Sequence, residues 1–543
     1  MRVCSAIARA LADHGTDTVF GMLGDANMLL VDALVRDGRA RYVSAAREDG
    51  AVLMADGYAR VSGRLGVATV TQGPGLSNTL TALVEAARAR TPLVLVSSDT
   101  RPDDEGFQAI GQRELVRGTG AGFVQVRAAH TAVRDVSTAV RRAREERRPI
   151  VLNVPTDIQD VDIEYTPQGP ARADAQAFAP DPEVLDRAVG LIASARRPVV
   201  LAGHGAVRSG ARDTLVRLAS LLGAPLATTL RAKDYFTGCA YDLGVFGTLS
   251  TDLATETILR ADCVVAFGAD LNRYTASEGA FLTGRRVVQV DTDPARIGRW
   301  WPVDVGVVAD AGAAATAMCE WLGAAELHPS AFRSPELATA LAGYSPAAGF
   351  QDRSTATTVD LRTALTRLEE MLPADRTVVS DAGLFCAPVW RCLSVPEPSA
   401  FLWVLHFGSV GLALAEAVGA AVAAPRRPSV VFVGDGGFMM GGILEFNTAV
   451  RHGLDLITVV VNDGAYGAEH LNLTAREMDP SLARMDWPDF APVAEALGGR
   501  GVTVRSLTDL ERAAEAIASR DRPLLLDLRV DVEVSAAARA AGA

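Results

Sequence analysis

The run Ser429-Val430-Val431-Phe432-Val433 leads into Gly434-Asp435-Gly436-Gly437, the stretch of this chain best suited to chemistry. A helical stretch from Ile443 to His452 follows, and a second apolar run, 456–461, ends in Asn462-Asp463-Gly464-Ala465-Tyr466-Gly467. Adjacent parallel strands set their C-terminal ends side by side, which is where α/β proteins bind ligands. Asp435 is therefore expected beside Asn462 and the carbonyl of Gly464. A carboxylate, an amide oxygen and a backbone carbonyl, completed by diphosphate oxygens, suit octahedral Mg2+. Gly434, Gly436 and Gly437 let the backbone approach the phosphates, with the following helix N-terminus aimed at them. Gly-Asp-Gly alone reads more readily as an ordinary turn; the Asn-x-Gly at the matching strand end reverses that in favour of the metal.

The elements that must position these residues form a regular alternation. Strand patterns at 18–21, 41–44, 66–71 and 92–96 alternate with helical ones, including 48–60, in the first 165 residues. Further strands are expected at 198–202, 263–267 and 287–291, then at 377–380, 429–433, 456–461 and 523–528. Such alternation predicts an α/β fold with parallel sheets covered by helices on both faces. Pro- and Ala-rich stretches at 161–183 and 328–354 read as linkers, so the boundaries are 1–165, 184–327 and 355–543. Three domains fit 543 residues at roughly 150 residues each.

Composition excludes several classes. Apolar residues are 49% and charged ones 22%, a globular and not a disordered balance. The net charge of −12 argues against nucleic-acid binding, which needs a basic face. No stretch approaches the ~20 apolar residues of a membrane span. The six cysteines show no Cys-x-x-Cys spacing, and the N-terminus is an amphipathic helix without a leader pattern; a cytoplasmic location is the expectation.

The span from Gly434 to Gly464 resembles the cofactor motif of thiamin-diphosphate enzymes. Arg47-Glu48-Asp49-Gly50-Ala51 with Met54-Ala55-Asp56-Gly57-Tyr58-Ala59-Arg60 is similar to the pyrimidine-binding domain of the acetolactate synthase-like group. The resemblance implies three doubly wound parallel-sheet domains: pyrimidine-binding, central (FAD- or ADP-binding-like) and diphosphate-binding. It places Glu48 at the group's catalytic glutamate. A carboxylate bonded to N1′ of the aminopyrimidine favours the imino tautomer, whose nitrogen removes the thiazolium C2 proton; the protein sets tautomer and shape. Read alone, a glutamate at a helix start is a dipole interaction. Thr71-Gln72-Gly73-Pro74-Gly75-Leu76-Ser77-Asn78 resembles the loop lining the pyrimidine pocket, so Pro74 and Asn78 are implied cofactor contacts. His406-Phe407-Gly408-Ser409-Val410-Gly411 resembles the segment whose apolar residue bends the cofactor, with Gly408 beside it and Val410 at the wedge. Core packing is the alternative role for Val410. Gly383, Ala465 and Tyr466 complete the implied cofactor set, and Asp435, Asn462 and Gly464 the metal set.

Departures from the group's pattern carry information too. Asp381-Ala382-Gly383-Leu384-Phe385 lacks the polar side chains often offered to the diphosphate. Glu105-Gly106-Phe107-Gln108 stands where decarboxylases carry a pair of histidines, so Gln108 is a candidate substrate contact. Ala468-Glu469-His470-Leu471 replaces the tryptophan region of biosynthetic acetolactate synthases. His406 and His470 are candidates for proton transfer, against the commoner role of a packed histidine. Asp270 stands where flavin-binding relatives have arginine, and its charge would repel a nucleotide phosphate, so FAD is doubtful. The expected activity is thiamin-diphosphate- and Mg2+-dependent carboligation of a 2-keto acid with an aldehyde or keto acceptor. A 2-hydroxyacyl lyase (CoA or aromatic) and a 2-keto acid decarboxylase are the alternatives. The resemblance further implies a homodimer or homotetramer with the active site at the subunit interface.

Overall fold

The computed structural model describes residues 1–36, 39–101, 106–168, 178–325, 327–345 and 349–535. Glu105, residues 169–177 and 346–348 of the two expected linkers, and the end of the third expected domain lie outside them. The chain divides into two compact bodies. One comprises residues 1–172, 352–389 and 402–543; the other comprises residues 173–351 and 390–401.

Three six-stranded parallel sheets with surrounding helices make up the fold, as the alternating pattern predicts. The first runs Arg41–Ser44, Thr18–Gly21, Gly66–Val70, Leu93–Asp99, Pro149–Pro155, Gly122–Gln125 in spatial order. The second runs Val305–Val308, Arg286–Asp291, Cys263–Phe267, Pro198–Ala202, Leu226–Thr228, Asp242–Val245. The third runs Phe401–Trp403, Thr377–Ser380, Ser429–Gly434, Leu456–Asn462, Leu524–Arg529, Arg500–Val504. Inner strands such as Gly66–Val70 and Leu456–Asn462 are buried along their whole length, because helices cover both faces. Their apolar runs are what the sequence shows. Edge strands such as Asp242–Val245 and Arg500–Val504 are only partly buried and carry charged residues, so no run marks them. Pro149–Pro155 is fully buried but begins and ends in proline, which reads as punctuation and not as strand.

One expected linker is corrected. Residues 328–354 contain a helix, Pro335–Ala342, whose Ser334 side chain accepts from the Leu337 N–H. Serine at the cap and proline at the first helical position are a start signal that the Pro/Ala-rich composition masks. Among the described residues no helix is long and apolar enough to cross a membrane.

In the first body the helices Glu48–Ser62 and Ala413–Ala423 pack backbone to backbone. A Cβ at Gly57 would stand 2.1 Å from the Glu416 carbonyl oxygen, and one at Gly419 1.9 Å from that of Met54. Beside this crossing the buried Arg60 guanidinium meets Glu416 at 2.8 Å and also donates to the Trp403 carbonyl at 3.2 Å. The contact joins the first and third sheets through one apolar core.

Candidate active site

The third sheet pairs Gly434 with Val461, so Asp435 and Asn462 leave neighbouring strand ends together. Asp435 opens a helical turn, 435–437, that continues through a wider π-turn, Phe438–Gly442, into the helix Ile443–Arg451. The Asp435 carboxylate is buried; its Oδ1 accepts from the Gly436 N–H at 2.8 Å. Its Oδ2 is buried with no hydrogen-bond partner among the described residues. Asn462 sends its Nδ2 to Asp527 at 2.8 Å, leaving its Oδ1 buried and unpartnered among the described residues. Gly464, at φ 63°, accepts at its carbonyl from Met485 N–H at 2.8 Å, retaining a second lone pair.

Asp463 is the residue here that sequence reasoning misses. Burial first, then the neighbouring Asp435, pushes its carboxyl above the ordinary range; burial likewise raises Asp435. A buried carboxyl and a half-buried one held together each resist ionising. A divalent cation removes that conflict, and the orphaned oxygens of Asp435 and Asn462 offer it acceptors only. The residues present therefore fit an oxygen-ligated divalent ion. The signal in the sequence was Asp463 itself, an acidic residue directly after Asn462.

Small residues around Asp435 are required by contact. A Cβ at Gly436 would meet the Tyr466 ring at 2.5 Å, and one at Gly383 the Phe385 ring at 2.4 Å. Ala465 is buried and donates its N–H to Asp463 Oδ1 at 3.1 Å. Gly437 packs against the turn at Gly411, where a Cβ would stand 2.7 Å from Asp381 Oδ2. Asp381, just past the strand Thr377–Ser380, accepts the Gly411 N–H at 2.7 Å and so ties 406–411 to this sheet. Within that segment Gly408 has φ 88°, and Val410 is half-buried instead of lying in the core.

A second group gathers on the first sheet. Glu48 begins the helix Glu48–Ser62, and its Oε2 accepts from Asn78 Nδ2 at 3.0 Å. Asn78 and Pro74 are exposed. Gly73, at φ 61°, precedes the short helix Pro74–Ser77 and lies so close to Gln108 that a Cβ would stand 2.3 Å from its carbonyl oxygen. The structure thus brings Gln108 to the Gly73-Pro74 loop. Gln112, unremarked in the sequence, holds that loop: its Oε1 accepts from Gly73 N–H at 2.8 Å, and its Nε2 donates to Ser98 O and Asn153 Oδ1.

The two histidines sit against carboxylates. His406 places Nδ1 2.8 Å from Glu85 Oε1 and its ring 4.9 Å from Trp403. Burial pushes Glu85 up, but the His406 ring and the N–H groups of His406 and Phe407 outweigh it and hold Glu85 below the usual carboxylate range. His470, buried in the helix Gly467–Ala475, places Nε2 2.8 Å from Glu533, which also meets Arg484 at 3.1 Å. In the other body Asp270 follows the strand Cys263–Phe267, with Oδ1 buried and unpartnered among the described residues.

Comparison with known proteins matches three parts of the chain. Residues 1–152 match the family described as thiamine pyrophosphate enzyme, N-terminal TPP binding domain. Residues 185–318 match its central domain, and 381–528 its C-terminal TPP binding domain. The chain is 31% identical to a sulfoacetaldehyde acetyltransferase of Rhodobacter capsulatus, over 94% of this chain and 90% of that one. It is 28% identical to a probable 2-ketoarginine decarboxylase of Pseudomonas aeruginosa, over 96% and 93%. It is also 28% identical to a probable acetolactate synthase large subunit of Methanocaldococcus jannaschii, over 98% and 92%.

Proposed function

We propose, for a chain that belongs to the thiamine pyrophosphate enzyme family, a Mg2+-dependent carboligase that joins a 2-keto acid to an aldehyde or keto acceptor. The observation that supports it is the pairing of two incomplete half-sites: Glu48 with Asn78 on one sheet, and the orphaned oxygens of Asp435 and Asn462 on another. When bound, thiamin diphosphate supplies a carbon nucleophile and an electron sink for making or breaking a bond next to a carbonyl. Asp435, with Asp463 or Asn462 and the Gly464 carbonyl, would hold the Mg2+ that carries the diphosphate. Gly434, Gly436, Gly437 and Gly383 leave room for the phosphates, with Ala465 and Tyr466 forming the wall. Glu48 would accept the proton-bearing ring nitrogen of the aminopyrimidine, with Asn78 fixing its carboxylate. Val410 would press on the cofactor between Gly408 and Gly411.

Glu48, Asn78 and Pro74 are all partly or largely open to solvent in the single chain, where a carboxylate is screened. A second copy covering them, as a homodimer or a pair of dimers, would supply the dry surroundings that make the group effective. Gln108 stands where a decarboxylase would place a proton-donating histidine, which favours addition to an acceptor over release of free aldehyde. Hydroxyacyl cleavage is the same bond chemistry run backwards.

The test is product analysis. Pyruvate with an aldehyde or a second keto acid should give a 2-hydroxyketone or an acyloin acid by mass spectrometry. Oxygen-electrode traces should stay flat, with activity kept after any flavin is stripped. Acetaldehyde as the dominant product would reassign the chain as a decarboxylase, and stoichiometric oxygen uptake as an oxidase.

A further inference from the structure

Two buried glutamates outside the proposed cofactor contacts tie the first and third sheets together, and each ends on a segment that the other sheet's site depends on. Glu445 belongs to the helix Ile443–Arg451, just past the π-turn that follows Asp435. Its carboxylate accepts the N–H groups of Ala46 and Arg47, each at 3.2 Å. Those are the two residues before Glu48. A third acceptor contact, to Thr448 Oγ1 at 2.6 Å, fixes the carboxylate from its own helix. Gly50 leaves room for it: a Cβ there would stand 2.1 Å from Glu445 Oε1.

Glu85 makes the converse connection. It belongs to the helix Leu80–Ala89 beside the first sheet and is fully buried. Its Oε1 accepts the His406 N–H at 2.9 Å and meets His406 Nδ1 at 2.8 Å; its Oε2 accepts the Phe407 N–H at 2.6 Å. Arg88, one turn on, stacks its guanidinium 4.7 Å over the Phe407 ring. The far end of the same segment is held by Asp381 at Gly411. Val410 thus lies between two carboxylate anchors, one from each sheet.

We propose that Glu445 and Glu85 are reciprocal positioning residues: Glu445 sets the place of Glu48 by holding the two residues before its helix, and Glu85 sets the place of Val410 by holding 406–407. A buried carboxylate that lost these donors would be left unsatisfied, so the contacts fix backbone and not merely side chains. The assignment rests on the cofactor reading above. It also gives His406 a different duty from proton transfer, that of a third donor to Glu85.

The experiment uses the full-length chain with thiamin diphosphate and Mg2+. Calorimetry reads cofactor affinity, and quenched-flow NMR reads hydrogen–deuterium exchange at the cofactor's C2. Glu445→Gln and Glu85→Gln each replace an acceptor oxygen by an NH2 that faces N–H groups. Each should slow exchange about tenfold or more, while affinity moves less than about threefold. Should either fail to fold, a gentler partner decides. Gly50→Ala displaces the Glu445 carboxylate while favouring the helix, and His406→Ala removes one of three donors to Glu85; each should slow exchange severalfold. Wild-type exchange in folded variants overturns the inference, as does affinity lost in proportion to exchange, the mark of a merely structural role. A wild-type chain that neither binds the cofactor nor exchanges overturns the cofactor reading and this inference together.

Discussion

Gly419 tests the crossing of the helices that joins the two sheets. In Gly419→Ala the new methyl carbon would stand 1.9 Å from the Met54 carbonyl oxygen and 2.7 Å from its carbon. Even a close C–H···O contact needs about 3.3 Å, so the helices must part by more than about 1 Å. The obstacle is backbone on a buried helix and cannot swing aside. Overpacking of this kind costs about 1–3 kcal/mol, and the upper end applies here. Replacing glycine by alanine inside a helix returns about 1 kcal/mol. The parting also stretches the buried Arg60–Glu416 pair, now at 2.8 Å, and outright loss of a buried pair costs about 3–5 kcal/mol. A net loss of about 2 kcal/mol or more follows, a fall of about 2–3 °C or more in the unfolding transition of a body of this size. Gly190→Ala is the control. Gly190 lies within the helix Pro182–Ala193, where a Cβ meets nothing within 4 Å, so the same chemical change should be neutral or stabilise slightly. Scanning calorimetry of the two variants beside wild type decides it. Because Glu48 begins one of the two helices, C2 exchange should also slow in Gly419→Ala. A Gly419→Ala transition equal to or above wild type, tracking Gly190→Ala, refutes the reasoning.

Asp435→Ala should abolish Mg2+-dependent binding of thiamin diphosphate, read by calorimetry with and without the metal; wild-type affinity would dismiss the metal assignment. Comparing Asp463→Ala with Asn462→Ala in the same titration ranks the second ligand, and the larger loss is expected at Asp463. Glu48→Gln should slow C2 exchange by about 10²–10⁴, the scale of a lost acid–base group, with affinity far less affected; unchanged exchange removes Glu48 from the chemistry. Burial pushes Asp242 from 3.8 up to about 6, so the unfolded chain ionises first. Its contribution is complete below 3.8 and is lost as pH rises through about 6, so Asp242→Asn should flatten stability across that window in urea titrations.

How much of this was legible in the sequence divides by distance along the chain. Gly-Asp-Gly and Asn-x-Gly show because a ligand-binding turn is local: its residues are neighbours in sequence, and glycine is forced where Tyr466 or Phe385 would clash. Inner strands show because burial on both faces leaves continuous apolar runs. Glu85, Gln112, Asp381 and Glu445 do not show. Each is a polar residue inside an ordinary helix or loop, and its meaning lies in N–H groups that the fold alone brings near. Glu445 reaches Ala46 across 399 residues and Glu85 reaches His406 across 321. No periodicity records such a partner. Asp463 stands inside the motif and still does not show, because an aspartate after asparagine in a turn is common, and only its place beside Asp435 gives it a charge conflict to relieve.

His406 shows how that distance changes a functional reading. By composition it is a titratable ring in a segment expected to touch cofactor, which suggests proton transfer. In the fold, its Nδ1 and its backbone N–H meet the same fully buried carboxylate. Drawing the ring away to deliver a proton would leave Glu85 with fewer donors for a charge already out of water, a cost of about 1–3 kcal/mol or more. A histidine held in that way is better suited to keep Val410 in place than to shuttle. His470 faces the opposite balance. Its partner Glu533 is largely exposed and shared with Arg484, so the carboxylate loses little on parting, and the cost falls on the buried ring instead. The two rings are therefore held by different kinds of carboxylate, and His406→Ala and His470→Asn should separate. The first should slow C2 exchange. The second should leave exchange intact and alter only the steps that follow substrate binding.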